Sequence, residues 1–314
     1  MTSYSEEVEM ARKTPETTRG LVLGCGAAVG FAWSVGALSR VEETLGWDAR
    51  TADAIIGTSA GSELAAMLGA GYSVADLVSA LEGAPDAPAV IADHLAAGPG
   101  LVPAVPGLGL TAPAYAALVS RRDLDVLAAV AGLLPKGRGD ATWLRSIGNE
   151  LGQPWVSHPR TWLVAADRAN GERVAFGAPG SPPTDVGTAI AASWAVPGLF
   201  PPVKIGKRAY VDGGVVSPTS ADLLVPLGLD EVVILAPMCS AGGAKGRGLS
   251  RIERIVRRAM TKRLDQEVGL LEAAGTRVMR IEPTQADLDV MGFNFSDYRR
   301  REATLASALT TTHL

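Results

Sequence analysis

The stretch of this 314-residue chain best suited to covalent chemistry is Gly57-Thr58-Ser59-Ala60-Gly61. An apolar run, Ala54-Ile55-Ile56, enters it, and Leu64, Ala65, Met67 and Leu68 leave it at helical spacing. Strand, sharp turn and helix are therefore expected in succession. In that setting a G-x-S-x-G pentapeptide is a nucleophile elbow, which holds the serine on a strained turn with its hydroxyl presented. Gly57 and Gly61 would let neighbouring backbone pass close by. Ser59 also heads the helix, so amide donors and the positive end of the dipole would face any anion formed there.

A serine hydroxyl is a poor nucleophile until a positioned base accepts its proton. Three histidines are available, His94, His158 and His313, and none sits in a motif. Each is expected at the surface. Asp212 is the better candidate, since it ends an apolar strand, Tyr210-Val211, and is followed by Gly213 and Gly214. Its carboxylate would then sit on a tight loop that another backbone can approach. Asp-Gly is also a common hairpin turn, but a turn has no need of the run before it, Ala192-Ser193-Trp194-Ala195-Val196-Pro197 with Phe200-Pro201-Pro202.

A second glycine-rich loop, Gly24-Cys25-Gly26-Ala27-Ala28-Val29-Gly30, follows the apolar strand Leu21-Val22-Leu23. A dinucleotide fingerprint needs G-x-G-x-x-G, and here the third glycine, Gly30, comes one position late. No G-K-[ST] is present for a phosphate loop, so no nucleotide cofactor is expected. Small side chains leave the amides of Gly24, Cys25, Gly26 and Ala27 accessible. With that of Ala60 they could form an oxyanion hole opposite Ser59.

Strand-like and helix-like segments alternate along the chain, which argues for an α/β protein with a mostly parallel sheet covered on both faces. Strands are expected at Leu21–Leu23, Ala54–Ile56, Thr161–Ala166, Arg173–Gly177, Glu231–Ala236 and Arg277–Ile281, with a hairpin from Val203 to Val211. Helices are expected at Phe31–Leu45, Val74–Leu81, Trp143–Leu151, Asp185–Trp194, Ser250–Ala274 and Ser296–Leu309. Residues 1–19 read as a flexible leader and 20–314 as a single domain. A Pro/Gly-rich insertion at about 83–140 contains short apolar helices at Ala114–Val119 and Leu124–Leu134. It reads as a surface excursion, with an apolar lid or acyl-chain channel as the sharper alternative.

Composition narrows the function. Hydrophobic residues make up 47% and charged residues 20%, a globular balance, and a net charge of −4 argues against a general nucleic-acid binder. Two cysteines, Cys25 and Cys239, supply neither a disulfide framework nor a four-ligand metal motif, so no metal is expected and a reducing cytoplasm fits. No apolar run reaches the ~20 residues of a membrane-spanning helix. One segment is basic: Lys245, Arg247, Arg251, Arg254, Arg257, Arg258, Lys262 and Arg263 stand against Glu253 alone. Arg251, Arg254, Arg258 and Lys262 would share one helix face and Ile252, Ile255, Val256 and Ala259 another, offering peripheral contact with an anionic membrane. A solvated helix face is the plainer reading.

Taken in order, the Gly24–Gly30 loop, the Ser59 pentapeptide, the Ala192–Pro202 run and Tyr210-Val211-Asp212-Gly213-Gly214 resemble the bacterial patatin-like phospholipases. The resemblance extends over roughly residues 20–290 and is weak across the insertion. It implies a three-layer α/β/α fold, a Ser–Asp dyad with Ser59 as nucleophile and Asp212 as base, and metal-free hydrolysis of acyl esters in lipids. The family's glycine-rich loop carries more glycines and an Arg or Lys, where this chain has Cys25, Ala27 and Val29. Ser217 and Pro218 stand where the family often has Asn. Two other outcomes stay open: an acyltransferase of related fold, and a catalytically impaired lipid-binding protein. Head group, chain length and oligomeric state are not written in the sequence.

Overall fold

Residues 17–98, 137–241, 243 and 250–313 are described by the computed structural model, the side chains of 250–252 excepted. The expected helices at 114–119 and 124–134, the first sixteen residues of the expected leader, Lys245 and Arg247 lie outside the described residues. Where the description begins, the chain is already tied to the sheet, because Thr18 donates its amide and hydroxyl to Asp230, both at 2.8 Å.

The strands β1 (Arg19–Leu23), β2 (Ala54–Thr58), β3 (Thr161–Asp167), β4 (Arg173–Phe176), β5 (Val203–Ile205), β6 (Arg208–Asp212), β7 (Glu231–Leu235) and β8 (Arg277–Ile281) form one sheet. Its hydrogen-bonded order is β5-β6-β3-β2-β1-β7-β8, with β4 also on β3. From β8 through β7, β1 and β2 to β3 every neighbouring pair is parallel. β4, β5 and β6 join antiparallel. The sheet is thus mostly parallel, as the alternation of segments predicts.

Nine helices stand among the described residues: α1 (Ala27–Leu45), α2 (Ala60–Gly69), α3 (Val74–Glu82), α4 (Ala89–Ala97), α5 (Thr142–Leu151), α6 (Val186–Ser193), α7 (Ser250–Ala273), α8 (Gln285–Met291) and α9 (Arg301–Thr311). Alternate strand residues face opposite ways. Leu21, Leu23, Ile55, Leu163 and Val233 therefore pack into one core with Phe31, Leu64, Ile190 and Leu305 of α1, α2, α6 and α9. Val22, Ile56, Val164 and Ile234 point into a second core against Leu224 and, from α7, Met260 and Leu264. Two cores on the two faces of one sheet make three layers. Each fully buried Leu or Ile contributes roughly 1.5–3 kcal/mol.

The chain departs from expectation at three helices, of which α4 (Ala89–Ala97) lies in the first part of the expected insertion. α8 occupies a stretch to which the sequence reading assigns no element, and its cap is explicit in the sequence: the Thr284 hydroxyl accepts from the Asp287 amide while Asp287 accepts from that of Thr284. The closing helix begins at Arg301, after a 3-10 turn at Tyr298–Arg300.

The crowding of strands on β3 decides where chemistry can occur. β4 pairs with Leu163–Ala166 along one edge. β2 and β6, which pair with Thr161–Val164 and Ala165–Asp167, must therefore share the other edge. β2 runs along it and stops with Thr58 opposite Val164, and β6 arrives from the far end and stops with Asp212 opposite Ala165. The carboxyl ends of two strands meet there, and the residue after Thr58 is Ser59.

Candidate active site

Ser59 sits at φ 56°, ψ −123°, a conformation L-residues rarely adopt, and caps α2 with its backbone. The two glycines of its motif are sterically required. A Cβ on Gly57 would lie 2.1 Å from the Gly61 carbonyl oxygen, and one on Gly61 would lie 2.0 Å from that of Leu23. The turn is also bolted from outside. The Ser59 amide donates to Ser193 Oγ at 2.8 Å, and that hydroxyl donates to the Val164 carbonyl at 2.6 Å. Ser193 stands in the Ala192–Pro202 run, but its clamping role is not visible without the fold.

Asp212 closes the site from β6. It is 4% exposed, its Oδ1 accepts the Gly214 amide at 2.7 Å, and its own amide donates to the Ala195 carbonyl at 3.0 Å. Gly213 must lack a side chain, since a Cβ there would meet the Val164 carbonyl at 2.7 Å. Burial pushes the Asp212 carboxyl up to about 7, against hydrogen bonds from the Ser59 side chain and the Gly214 amide that favour the carboxylate. A carboxyl so placed can accept a proton near neutrality.

The five amides expected to face an oxyanion divide into two groups. Gly24 donates to the Leu235 carbonyl at 2.9 Å and Cys25 to that of Pro218 at 2.8 Å, so both are engaged in holding the loop. Gly26 caps α1 and Ala27 begins it, and Ala60 begins α2. First-turn amides have no acceptor within their own helix. Gly26 and Ala27 line the same cavity as Ser59. Ala27 is at φ 48°, in the left-handed region that favours glycine. Gly30 has ordinary contact room, since a Cβ there would lie 3.4 Å from the Pro237 ring, while Gly214 faces Asp212 Oδ1 and the Cys25 sulfur.

Ser217, which stands where the family often has Asn, serves a different purpose. With Thr219 and the Ala221 amide it donates to the fully buried carboxylate of Glu267, at 2.5, 2.6 and 3.0 Å. That fixes the segment whose Pro218 carbonyl holds Cys25. Burial, with Asp212 nearby, keeps the Cys25 thiol well above its usual range and therefore protonated.

The histidines fall in three environments. His313 is exposed, as expected. His158 is half-buried and bonds the Ala52 carbonyl at 2.8 Å. His94 corrects the surface expectation: it is 5% exposed, pairs with Glu63 of α2 at 2.8 Å, and stacks on Trp143 with ring centroids 4.9 Å apart. The Glu63 partner lies 31 residues away in sequence, so no local pattern announced it.

The basic helix also differs from its projected faces. In α7, Arg254 and Arg257 are buried on Glu253, and Arg257 further donates to the carbonyls of Pro237 and Cys239 at 2.6 and 3.0 Å. Ile255, assigned to the apolar face, is 60% exposed. Of the four cations expected to form one stripe, Arg258 and Lys262 are exposed, Arg254 is not, and the side chain of Arg251 lies outside the described residues. No helix among the described residues is long and apolar enough to cross a membrane.

A cavity of about 290 Å³ opens beside Ser59 and Asp212. Trp194, Val196, Leu199, Phe200, Met260 and Phe295 supply much of its wall. The described ends of the insertion stand next to it: Gly98 lies against Tyr298 and Gly137 against Leu199 and Phe200, and those three partners line the cavity.

The three-layer α/β/α fold thus carries Ser59 on a strand-to-helix elbow with the buried Asp212 facing it. The family model for patatin-like phospholipases matches residues 21–225, and the chain belongs to that family. Among solved structures, VipD from Legionella pneumophila matches with a TM-score of 0.40 and 14% sequence identity, over 95% of this chain. The match spans 66% of the VipD chain, just under two thirds. No curated protein matches.

Proposed function

We propose that this chain is a serine acyl hydrolase that cleaves carboxylic esters of lipids through a Ser59–Asp212 dyad. The observation that carries the reading is the meeting of two strand ends over β3, which sets a buried carboxyl with a pKa of about 7 against the serine side chain. Ser59 attacks the ester carbonyl while Asp212 takes the hydroxyl proton. The amides of Gly26, Ala27 and Ala60 receive the developing oxyanion, and the proton passes to the departing alcohol. Water, deprotonated by Asp212, then attacks the acyl-enzyme, and Ser59 leaves with its proton restored.

The apolar cavity suits the acyl chain. Arg258 and Lys262 are the exposed cations that would support peripheral contact with an anionic membrane. Two buried free thiols accord with a reducing cytoplasm. The test is hydrolysis of p-nitrophenyl and lipid esters by wild type, Ser59→Ala, Asp212→Asn and His94→Gln, with fluorophosphonate labelling of Ser59. Activity should vanish in the first two variants and persist in the third. An active Asp212→Asn with a dead but folded His94→Gln would transfer the base to histidine. A labelled Ser59 that passes its acyl group to added alcohols in preference to water would make the chain a transferase.

A further inference from the structure

Against the glycine-rich loop, just past the carboxyl end of β7, lies a tight turn. The Cys239 amide donates to the Ala236 carbonyl at 2.9 Å, which puts Pro237 at a corner that its fixed φ suits. The proline ring faces the loop. A Cβ on Gly26 would lie 2.9 Å from Pro237 Cγ, and one on Gly24 or Gly30 would meet the same ring at 3.2 or 3.4 Å. Gly26 and Ala27 open α1 with two of the amides proposed for the oxyanion, so the seat of this ring sets where those amides stand.

Arg257 of α7 holds the turn. It is 1% exposed, its Nη1 donates to the carbonyls of Pro237 and Cys239 at 2.6 and 3.0 Å, and its Nε donates to Glu253 at 2.7 Å. Its guanidinium also lies 6.0 Å from the centre of the Phe295 ring, and the Phe295 carbonyl accepts the Val29 amide, in the first turn of α1, at 3.1 Å. Two neighbours of the guanidinium thus touch the start of α1. Burying a charge is costly unless it is paired and hydrogen-bonded, and a leucine would fill a helix face as well. The planar fork supplies what leucine or lysine cannot, donors on separate nitrogens that reach a carboxylate and two carbonyls at once.

We propose, resting on the hydrolase reading, that Arg257 is a positioning residue for ester hydrolysis: by holding the Ala236–Cys239 turn it seats Pro237 against Gly26 and fixes the amides of Gly26 and Ala27 where the oxyanion forms. It acts through the turn and not on the reacting atoms. A misplacement of about 1 Å in such a group can lower the rate ~10²-fold, so the effect belongs to kcat.

The test compares wild type, Arg257→Lys, Pro237→Ala and the double variant in the full chain, with two inhibitors. An alkyl trifluoromethyl ketone reads the oxyanion site, because Ser59 Oγ bonds its carbonyl carbon, the hydroxyl proton passes to Asp212 and the carbonyl oxygen becomes the anion. The matching methyl ketone fills the same space without that addition. Both single variants should lose about ten-fold or more in kcat/KM, chiefly in kcat, and bind the trifluoromethyl ketone more weakly by a similar factor. Affinity for the methyl ketone should change by less than about two-fold. The double variant should lose less than the product of the single losses, since both act through one ring. A folded Arg257→Lys with the wild-type rate, equal weakening of both ketones, or losses that multiply would overturn the proposal and leave the hydrolase intact. Should Arg257→Lys fail to fold, Pro237→Ala decides alone: unchanged affinity for the trifluoromethyl ketone there breaks the link from Arg257 to the loop. A wild type that fluorophosphonate does not label at Ser59 and that hydrolyses no ester would overturn the hydrolase reading, and the role of Arg257 with it.

Discussion

The amide of Ser59 donates to Ser193 Oγ at 2.8 Å, across 134 residues of sequence. The bond has two effects. It engages the N–H of Ser59, the proposed nucleophile, and so leaves Gly26, Ala27 and Ala60 as the proposed oxyanion donors. It also ties the strained elbow to β3, because the same hydroxyl donates onward to Val164 at 2.6 Å. A side chain on α6 thus holds the turn that the two glycines permit.

Ser193→Ala should therefore be costly out of proportion to one oxygen. Both partners are buried, and an orphaned buried amide costs roughly 1–3 kcal/mol. The expected outcome is a lower denaturation midpoint together with a fall in kcat at nearly constant KM, read by urea titration and steady-state kinetics on the folded enzyme. A stable, fully active Ser193→Ala would show that the elbow keeps its geometry without the clamp.

Ala27 offers the opposite kind of change. At φ 48° an alanine is held where glycine is at ease, a strain of about 1–2 kcal/mol that Ala27→Gly would relieve, less the entropy glycine gains when unfolded. The variant should keep its activity and gain up to about 1 kcal/mol in chemical denaturation. A clear loss of stability would place the loop's natural conformation elsewhere. Ala27→Pro is a poor probe of the amide here, since proline requires a negative φ.

The proposed donors are tested by replacing single backbone amides with esters, which deletes the N–H and keeps the side chain. An ester linkage at Ala27 or Ala60 should lower kcat by ~10² to 10³, the usual effect of losing one oxyanion donor. The same replacement at Cys25 should act mainly on stability, because its N–H belongs to Pro218. Similar kcat losses at Cys25 and Ala27 would mean that the loop rearranges when substrate binds.

Much of this site is legible in the sequence because its signals are local. Gly57 and Gly61 flank Ser59 by two residues each, and Asp212 ends a short apolar strand before two glycines. The layered fold follows from runs such as Leu21–Leu23 and Glu231–Leu235, which are apolar because both sheet faces are covered. What escapes is pairing across long separations. Engagement of the Gly24 amide depends on Leu235, that of Cys25 on Pro218, and burial of His94 on Glu63. The projected faces of α7 fail for a similar reason: a helical wheel cannot know that Pro237 and Cys239 present carbonyls to Arg257, which draws two arginines inward and turns Ile255 out. α8 is the exception, for the capping pair Thr284 and Asp287 was in plain view.

That rearranged helix alters the expectation for membranes. With Arg254 buried, Arg258 and Lys262 are the described exposed cations of the expected stripe, each worth roughly 1 kcal/mol beside an anionic surface. A variant with both changed to Gln should co-sediment less with anionic vesicles at low salt and equally with neutral ones. Unchanged binding would leave these two side chains as a solvated helix face.

The last expectation concerns pH and links stability to catalysis at Asp212. Its carboxyl titrates near 7 when folded, well above the ordinary range near 4 that it recovers on unfolding. Between those values the folded chain holds a proton that the unfolded chain has released, so this group's contribution to stability falls as pH rises from about 4 through 7. The difference amounts to at most about 4 kcal/mol, because burial is the leading cause and the carboxylate must form in that buried place. Catalysis requires the same charged form, and kcat/KM should rise with pH through a midpoint near 7. Asp212→Asn removes the titration while an amide oxygen can still accept from Gly214. It should therefore lose ~10² to 10⁴ in rate yet match or exceed the wild type in stability at pH 8, with an advantage that shrinks toward pH 4. Urea denaturation of both proteins across that range, beside their pH–rate profiles, makes the comparison. A wild-type rate that stays flat from pH 5 to 8, or an Asn variant whose relative stability does not change with pH, would deny Asp212 its raised pKa and with it the role of base.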